Sequence, residues 1–315
     1  MDDFSVFSKK FWKLTQVLLD TTVEAFRFKN PFINAFICSI SMVPNLRVSL
    51  LGQGFEERIA QHKSVKPAGE WLLSRYSREC LITGVECIPE TGPLLVVCNH
   101  SGMGDALAVY ASLPRTDVYT VVLRQGILKG LPQFEEFCIV IDQEKPALAL
   151  KKMVSCLREG NTILMFPRGK IEDDPGLDVI SAQETIAEWS ESIALLARRV
   201  PNLAVLPMAV GGVISRQALN NPIVRFYKQQ TNRNFLAATL QLMFPIYRDP
   251  IASVAYGSPL RGDQITMANV RTEMRRVLRH VYDQQQDLVA AGRLSRIPQH
   301  SDVFERINDV NSFSP

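Results

Sequence analysis

Three runs of the chain, LLVVCN (94–99), TILMFP (162–167) and LAVLPMAV (203–210), are almost continuously apolar. A strand with one wet face alternates polar and apolar residues. A run that is apolar at both parities needs cover on both faces. Each run is too short for a helix that could bury itself alone. VYTVVL (118–123) and FCIVID (137–142) are β-branched and read as two further strands, and CLITGVECI, from Cys80, reads as a strand with a turn in it. Between the strands lie stretches of helical period at 105–113, 146–158 (stopped by Gly160) and 182–200, and a long one at 267–290. In 182–200, Ile186, Trp189, Ile193, Leu196 and Val200 fall on one side. Strands alternating with helices predict an α/β domain with a mixed, largely parallel central sheet flanked by helices.

Before residue 79 the pattern is helical. Phe4, Phe7, Phe11, Leu14, Leu18, Ala25 and Phe28 recur at helical steps, Asn30-Pro31 breaks the period, and a second helical stretch covers roughly 32–62. The expected organisation is an N-terminal helical hairpin segment (1–78), an α/β domain (79–292) and a C-terminal tail (293–315). The hairpin can be a membrane-surface foot, with Trp12 and the phenylalanines in the lipid boundary and lysines at the headgroups, or it can pack on its own domain. Phe32–Leu51 is the most apolar stretch. It contains Asn34, Pro44, Asn45 and Arg47, so it reads as buried or interfacial and not as a span.

A net charge of +3 on 315 residues lacks the basic surplus of a nucleic-acid binder, and no nucleic-acid partner is expected. It suits mild attraction to an anionic membrane. The six cysteines form no C-x-x-C pair and read as reduced, mostly buried thiols. With only four histidines, a histidine-rich metal site is not expected. Met1 is followed by two acids and no basic region, so no signal peptide is expected. These features predict a cytoplasmic location. Arg271, Arg275, Arg276 and Arg279 on the long helix read as a solvated face, with lipid headgroups as the other option.

The chemistry concentrates in NHSGMGD (99–105). Residues five apart are about 140° off a common face on a regular helix. His100 and Asp105 therefore meet only if His100 sits in a turn and Asp105 in the first helical turn after it. Gly102 and Gly104 supply freedom for that turn, and Ser101 is a candidate cap. An acid in a first turn is also favoured by the helix dipole alone. In the functional reading the carboxylate holds one imidazole nitrogen, and the other takes a proton from a hydroxyl that attacks an acyl group. No serine nucleophile is required if that hydroxyl belongs to a substrate, and the lack of a G-x-S-x-G elbow weakens a serine-hydrolase reading. At the end of another strand stands FPRGKIEDD (166–174). Open α/β sheets bind ligands beyond such strand ends. Arg168 and Lys170 are candidate anion contacts there, Arg124 is a third, and each can equally be a solvated side chain. Backbone N–H groups near Pro167 and Gly169 are candidates for an oxyanion site.

NHSGMGD, FPRGK and VLPMAVGG, in this order, resemble the phospholipid/glycerol acyltransferase superfamily, of which 1-acylglycerol-3-phosphate acyltransferase is the best-known member. The resemblance runs from about Gly84 to Gly212. It implies that His100 and Asp105 are the catalytic pair. It also implies acyl transfer from an acyl-coenzyme A or acyl carrier protein thioester to a glycerolipid or lysophospholipid hydroxyl, with no metal and no tightly bound cofactor. A membrane-associated enzyme of phospholipid biosynthesis follows, peripheral or monotopic on the inner face of the cell membrane. Two positions depart from the family's pattern. Its third motif usually reads F-P-E-G-T-R, whereas here Arg168 replaces the glutamate, Lys170-Ile171 replaces Thr-Arg, and Glu172 is displaced. The second motif commonly ends in an arginine for the acceptor phosphate, and Gln143 stands there instead. The alternatives are a lipid-binding protein of the same fold without catalysis, and a thioesterase or lipid hydrolase in which His100 activates water.

Overall fold

The structure is a computed structural model that describes residues 15–16, 31–123, 128, 130–142, 144–227 and 229–296. The helical reading of 1–30, and with it the hairpin, lies almost wholly outside the described residues, as do Arg124, Gln143 and the tail beyond 296.

Two helices lead in, α1 (Pro31–His62) and α2 (Val65–Tyr76), joined at Lys63 and Ser64, whose hydroxyl caps α2. The α/β part then runs β1 (Glu79–Thr83), β2 (Leu94–Cys98), α3 (Met103–Ser112), β3 (Val118–Leu123), a single turn α4 (Pro132–Glu135), β4 (Cys138–Ile141), α5 (Pro146–Arg158) and β5 (Thr162–Met165). It continues with α6 (Val179–Thr185), α7 (Ser192–Arg199), β6 (Ala204–Gly211), two short turns α8 (Arg216–Leu219) and α9 (Pro222–Arg225), α10 (Gln230–Met243), β7 (Ile251–Tyr256), β8 (Leu260–Arg261) and α11 (Met267–Ala290). No helix among the described residues is long and apolar enough to cross a membrane.

The sheet order is β1-β7-β6-β2-β5-β3-β4, with β8 paired to β6. From β6 through β4 all neighbours are parallel, whereas β7 and β8 run antiparallel to β6 and β1 follows β7. The mixed, largely parallel sheet is the expected one. Its central strands are covered on both sides, as their unbroken apolar runs require. Leu94, Val96 and Cys98 of β2 join a core with α2 and α3, and Leu95 and Val97 join a second core with α5, α7 and α11.

Three expectations need correction. The stretch 182–200 is not one helix. It is α6, a 3-10 turn and α7, with Trp189 extended between them. The five apolar residues named for it are all buried, so the periodicity marked the right face. The helix breaks because Ser190 N–H donates to Pro167 O at 3.1 Å and the Trp189 indole is tied to Glu172. Ser101 does not cap α3, because the cap position falls on Gly102 and the Ser101 hydroxyl accepts from Asn99 at 2.9 Å. Gly102 supplies turn freedom, at φ 144°, but Gly104 serves packing. A Cβ on Gly104 would lie 2.5 Å from the Tyr76 ring and 3.0 Å from Val213 Cβ. Strand β7 and the helical excursion α8–α10 had no signal in the periodicity.

Gly104→Leu forces a side chain into this α2–α3 contact. We expect a loss of about 1–3 kcal/mol or more, the usual range for overpacking, read as a lower midpoint in thermal unfolding. An unchanged midpoint shows that α3 can shift away from Tyr76.

Candidate functional site

The site lies where β2, β5 and β6 end together. β2 pairs in parallel with β5 on one side (Val97 with Met165) and with β6 on the other (Cys98 with Met208). The residues that follow each strand therefore emerge side by side at the carboxyl edge of the sheet, where α/β folds bind ligands.

Asn99 locks the end of β2 to β6. Its amide donates to Val210 O at 2.8 Å, and its carbonyl accepts from Val210 N–H at 2.9 Å. The chain then turns at Ser101-Gly102 into α3, and Asp105 sits in the first turn of that helix. Its side chain is fully buried. Asp105 Oδ2 accepts from Gly102 N–H at 2.9 Å and lies 2.9 Å from His100 Nδ1, while Oδ1 accepts from Ala106 N–H. A carboxylate only accepts, so Nδ1 carries the proton and Nε2 is left as the basic nitrogen. The turn-and-helix geometry expected for this pair is the one present. The acid caps the helix and orients the imidazole with the same group.

The imidazole side chain is 28% exposed. Its ring stacks on Phe166, the first residue after β5, with centroids 4.5 Å apart and planes 30° apart. Burial by itself pushes the imidazolium of His100 down. The charge of Asp105 and its hydrogen bond outweigh this, with help from the Glu172 carboxylate, and the pKa is held above its ordinary value.

Glu172 is the residue whose role was not read from its position. Its backbone N–H donates to His100 O at 2.6 Å, and its Oε2 accepts from His100 N–H at 2.7 Å. Its Oε1 accepts from the Thr185 hydroxyl at 2.9 Å and from the Trp189 indole at 3.0 Å. Burial pushes this carboxyl up, and these three donors together with Arg168 work against the rise. Glu172 thus grips the His100 backbone from both sides and joins the β2 loop to the β5 loop. The displaced acid of FPRGKIEDD was the only sequence signal for it. Asp174 makes a second tie. Buried, it accepts from the N–H groups of Gly176, Gly212 and Val213 at 2.8–3.0 Å and joins the same loop to the end of β6.

The other residues of FPRGK differ in how far they are already engaged. Arg168 is already paired. Its Nε and Nη2 donate to the two oxygens of Glu188, both at 3.1 Å, and its Nη1 donates to Ile171 O. It reaches an anion only by releasing Glu188. Gly169 (φ 67°) closes a turn in which its N–H donates to Phe166 O at 3.0 Å. That N–H is engaged, and Pro167 has none, so neither offers a ready oxyanion donor. Lys170 is exposed. Cys98, the thiol nearest in sequence, is buried. Burial and the neighbouring carboxylates hold it well above the ordinary thiol range, which disfavours a thiolate nucleophile.

Residues 79–211 match the model of the family described as Acyltransferase. A comparison with curated proteins finds no match. Among solved structures, the crystal structure of the 1-acyl-sn-glycerophosphate (LPA) acyltransferase, PlsC, from Thermotoga maritima is 13% identical. It aligns over 95% of this chain and 100% of its own with a TM-score of 0.42, a likeness too loose to transfer any feature.

Removing the Asp105 charge leaves burial as the dominant influence on His100. In Asp105→Asn the histidine pKa, followed by NMR titration of the ring, is expected to fall below that of the wild type. Glu172→Gln keeps an oxygen for the His100 N–H but loses the charge, and should lower the pKa by a smaller amount. A pKa that does not move in Asp105→Asn contradicts the electrostatic account of the pair.

Proposed function

Since residues 79–211 match the family described as Acyltransferase, we propose that the chain moves a fatty acyl group from an acyl thioester to the hydroxyl of a glycerolipid or lysophospholipid. The donor thioester is one of coenzyme A or of an acyl carrier protein. The reading is carried by one observation, the 2.9 Å pair of His100 Nδ1 and buried Asp105 at the mouth of the central strand.

The steps follow from that pair. The acceptor hydroxyl gives its proton to His100 Nε2 as its oxygen attacks the thioester carbonyl. Asp105 fixes the tautomer and stabilises the imidazolium that forms, as a carboxylate does for a catalytic histidine elsewhere. The tetrahedral intermediate collapses, the C–S bond breaks, and the departing thiolate takes the proton back from Nε2. The new oxygen ester and the free thiol are the products, with atoms and protons balanced. Phe166 holds the imidazole plane by stacking, and Glu172 holds its backbone. Both are positioning residues. Lys170 is proposed as the cation for the acceptor headgroup, with Arg168 joining it once Glu188 is released. Arg124 keeps its proposed acceptor role on sequence grounds alone. A membrane-lipid acceptor places the protein on a membrane surface, peripheral or monotopic, at the inner face of the cell membrane.

General acid–base catalysis typically contributes about 10²–10⁴-fold. His100→Ala is therefore expected to lower acyl transfer by at least about a hundredfold, measured by mass spectrometry with labelled acyl-coenzyme A and a lysolipid panel, while the fold survives. A loss under tenfold ends the base assignment, and free fatty acid in place of a new ester turns the reading to hydrolysis.

The base must be neutral to act. With its pKa held up, kcat/KM should rise with pH through a midpoint above the ordinary histidine value of about 6.5. Lys170→Ala should raise the acceptor KM, and an unchanged KM removes Lys170 from the headgroup site.

A further inference from the structure

The excursion between β6 and β7 packs Ala218, Leu219, Val224 and Ala237 into the core and leaves a second set of large apolar side chains outside it. Helix α10 buries Asn234 and Gln241. Gln241 is tied inward: its amide donates to Tyr76 O at 3.0 Å and Val213 O at 3.1 Å, and its carbonyl accepts from Ser215 N–H at 2.9 Å. Large apolar side chains face out instead: Phe226 is 87% exposed, Ile246 74%, Ile223 66% and Phe235 65%, with Tyr227 and Phe244 at 40% each. A soluble surface scatters such residues singly, and their gathering on one excursion marks a contact surface.

Charge on the same excursion is almost all of one sign, its one acid, Asp249, being tied to the Ser215 hydroxyl and the Arg216 N–H at the base. From Arg216 through Arg248 the sequence carries five cations and no aspartate or glutamate. Arg225 and Arg248 are exposed beside the apolar residues. The neighbouring length of α1 continues the pattern. No acid occurs between Asn30 and Phe55, Leu50 and Met42 are exposed, and the Arg47 guanidinium donates to Leu242 O at 2.8 Å, joining α1 to α10.

The topology sets where this face stands. The excursion leaves β6 after Gly211 and returns to β7 at Ile251, and in the antiparallel β6–β7 pair Gly211 lies opposite Ser253. Both its ends are therefore at the sheet edge where β2 and β5 deliver His100 and Phe166. Exposed aromatic and aliphatic residues mixed with cations and free of acids match a lipid interface, in which apolar groups enter the acyl boundary and cations meet anionic headgroups. An acidic protein partner would use the cations but has less use for Phe226 and Ile246 standing in water.

We propose that residues 222–248, continued by the exposed side of α1, form a docking face for an anionic membrane surface, at the same edge of the sheet as His100. This rests on the reading of a membrane-lipid acceptor and adds the surface through which the acceptor is reached.

The test uses the full chain and vesicles of phosphatidylglycerol and phosphatidylcholine in equal parts, against pure phosphatidylcholine vesicles. The wild type should co-sediment with the anionic vesicles and weaken with added salt, and Phe226→Asp/Ile246→Asp should lose at least tenfold in partitioning. The double variant should keep transfer to a short-chain lysophospholipid below its critical micelle concentration within twofold of wild type. Sedimentation unchanged in the double variant overturns the proposal and assigns the contact elsewhere, residues 1–30 included. Capture of an acyl carrier protein through these residues, without vesicle binding, also overturns it. Failure of the wild type to acylate the dispersed acceptor counts against the acyltransferase reading and leaves the sedimentation result standing.

Discussion

Parallel pairing of β2 between β5 and β6 is the constraint on which the site depends. Strands in parallel register end at one edge, so the loops after Cys98, Met165 and Gly211 have to share space. Three polar ties turn that neighbourhood into a fixed geometry: Asn99 to Val210, Glu172 to His100, and Asp174 to Gly212 and Val213. All three are buried side chains bonded to backbone groups. In a low-dielectric setting such bonds are costly to leave unmade, so each loop is held in one arrangement.

Asp105 serves two roles with one carboxylate. It caps α3 through Gly102 N–H and Ala106 N–H, and it orients His100. The dipole reading and the catalytic reading of this acid therefore do not compete. A helix N-terminus is a good place to keep a buried negative charge, and that charge is what holds the imidazole basic. Glu172 adds a second carboxylate behind the histidine, and the broken α6–α7 stretch exists to bring Thr185 and Trp189 to it.

The altered third motif now has a physical description. Arg168 takes Glu188 as its own partner, and Glu172 supplies a carboxylate to the loop from four residues further on. The cationic character falls to Lys170, the exposed cation of the loop.

Much of this was legible in the chain because it is local. Apolar runs at both parities demand a covered strand, and they marked β2, β5 and β6. Helical period marked α3, α5 and α11, and five-residue spacing across glycines dictated how His100 and Asp105 meet. Strand β7 and the α8–α10 excursion escaped because IASVAY carries no special period and the excursion both buries polar Asn234 and Gln241 beside its apolar core residues and exposes large apolar ones, which blurs the pattern that sequence reading seeks. The sequence by itself determined the fold class and the meeting of His100 with Asp105, since both follow from periodicity and short-range stereochemistry. Only the tertiary structure decided the partners of that pair: Phe166 under the ring, Glu172 behind the backbone, Arg168 turned to Glu188. These contacts join residues tens of positions apart, and strand order, which no local pattern encodes, is what brings them together.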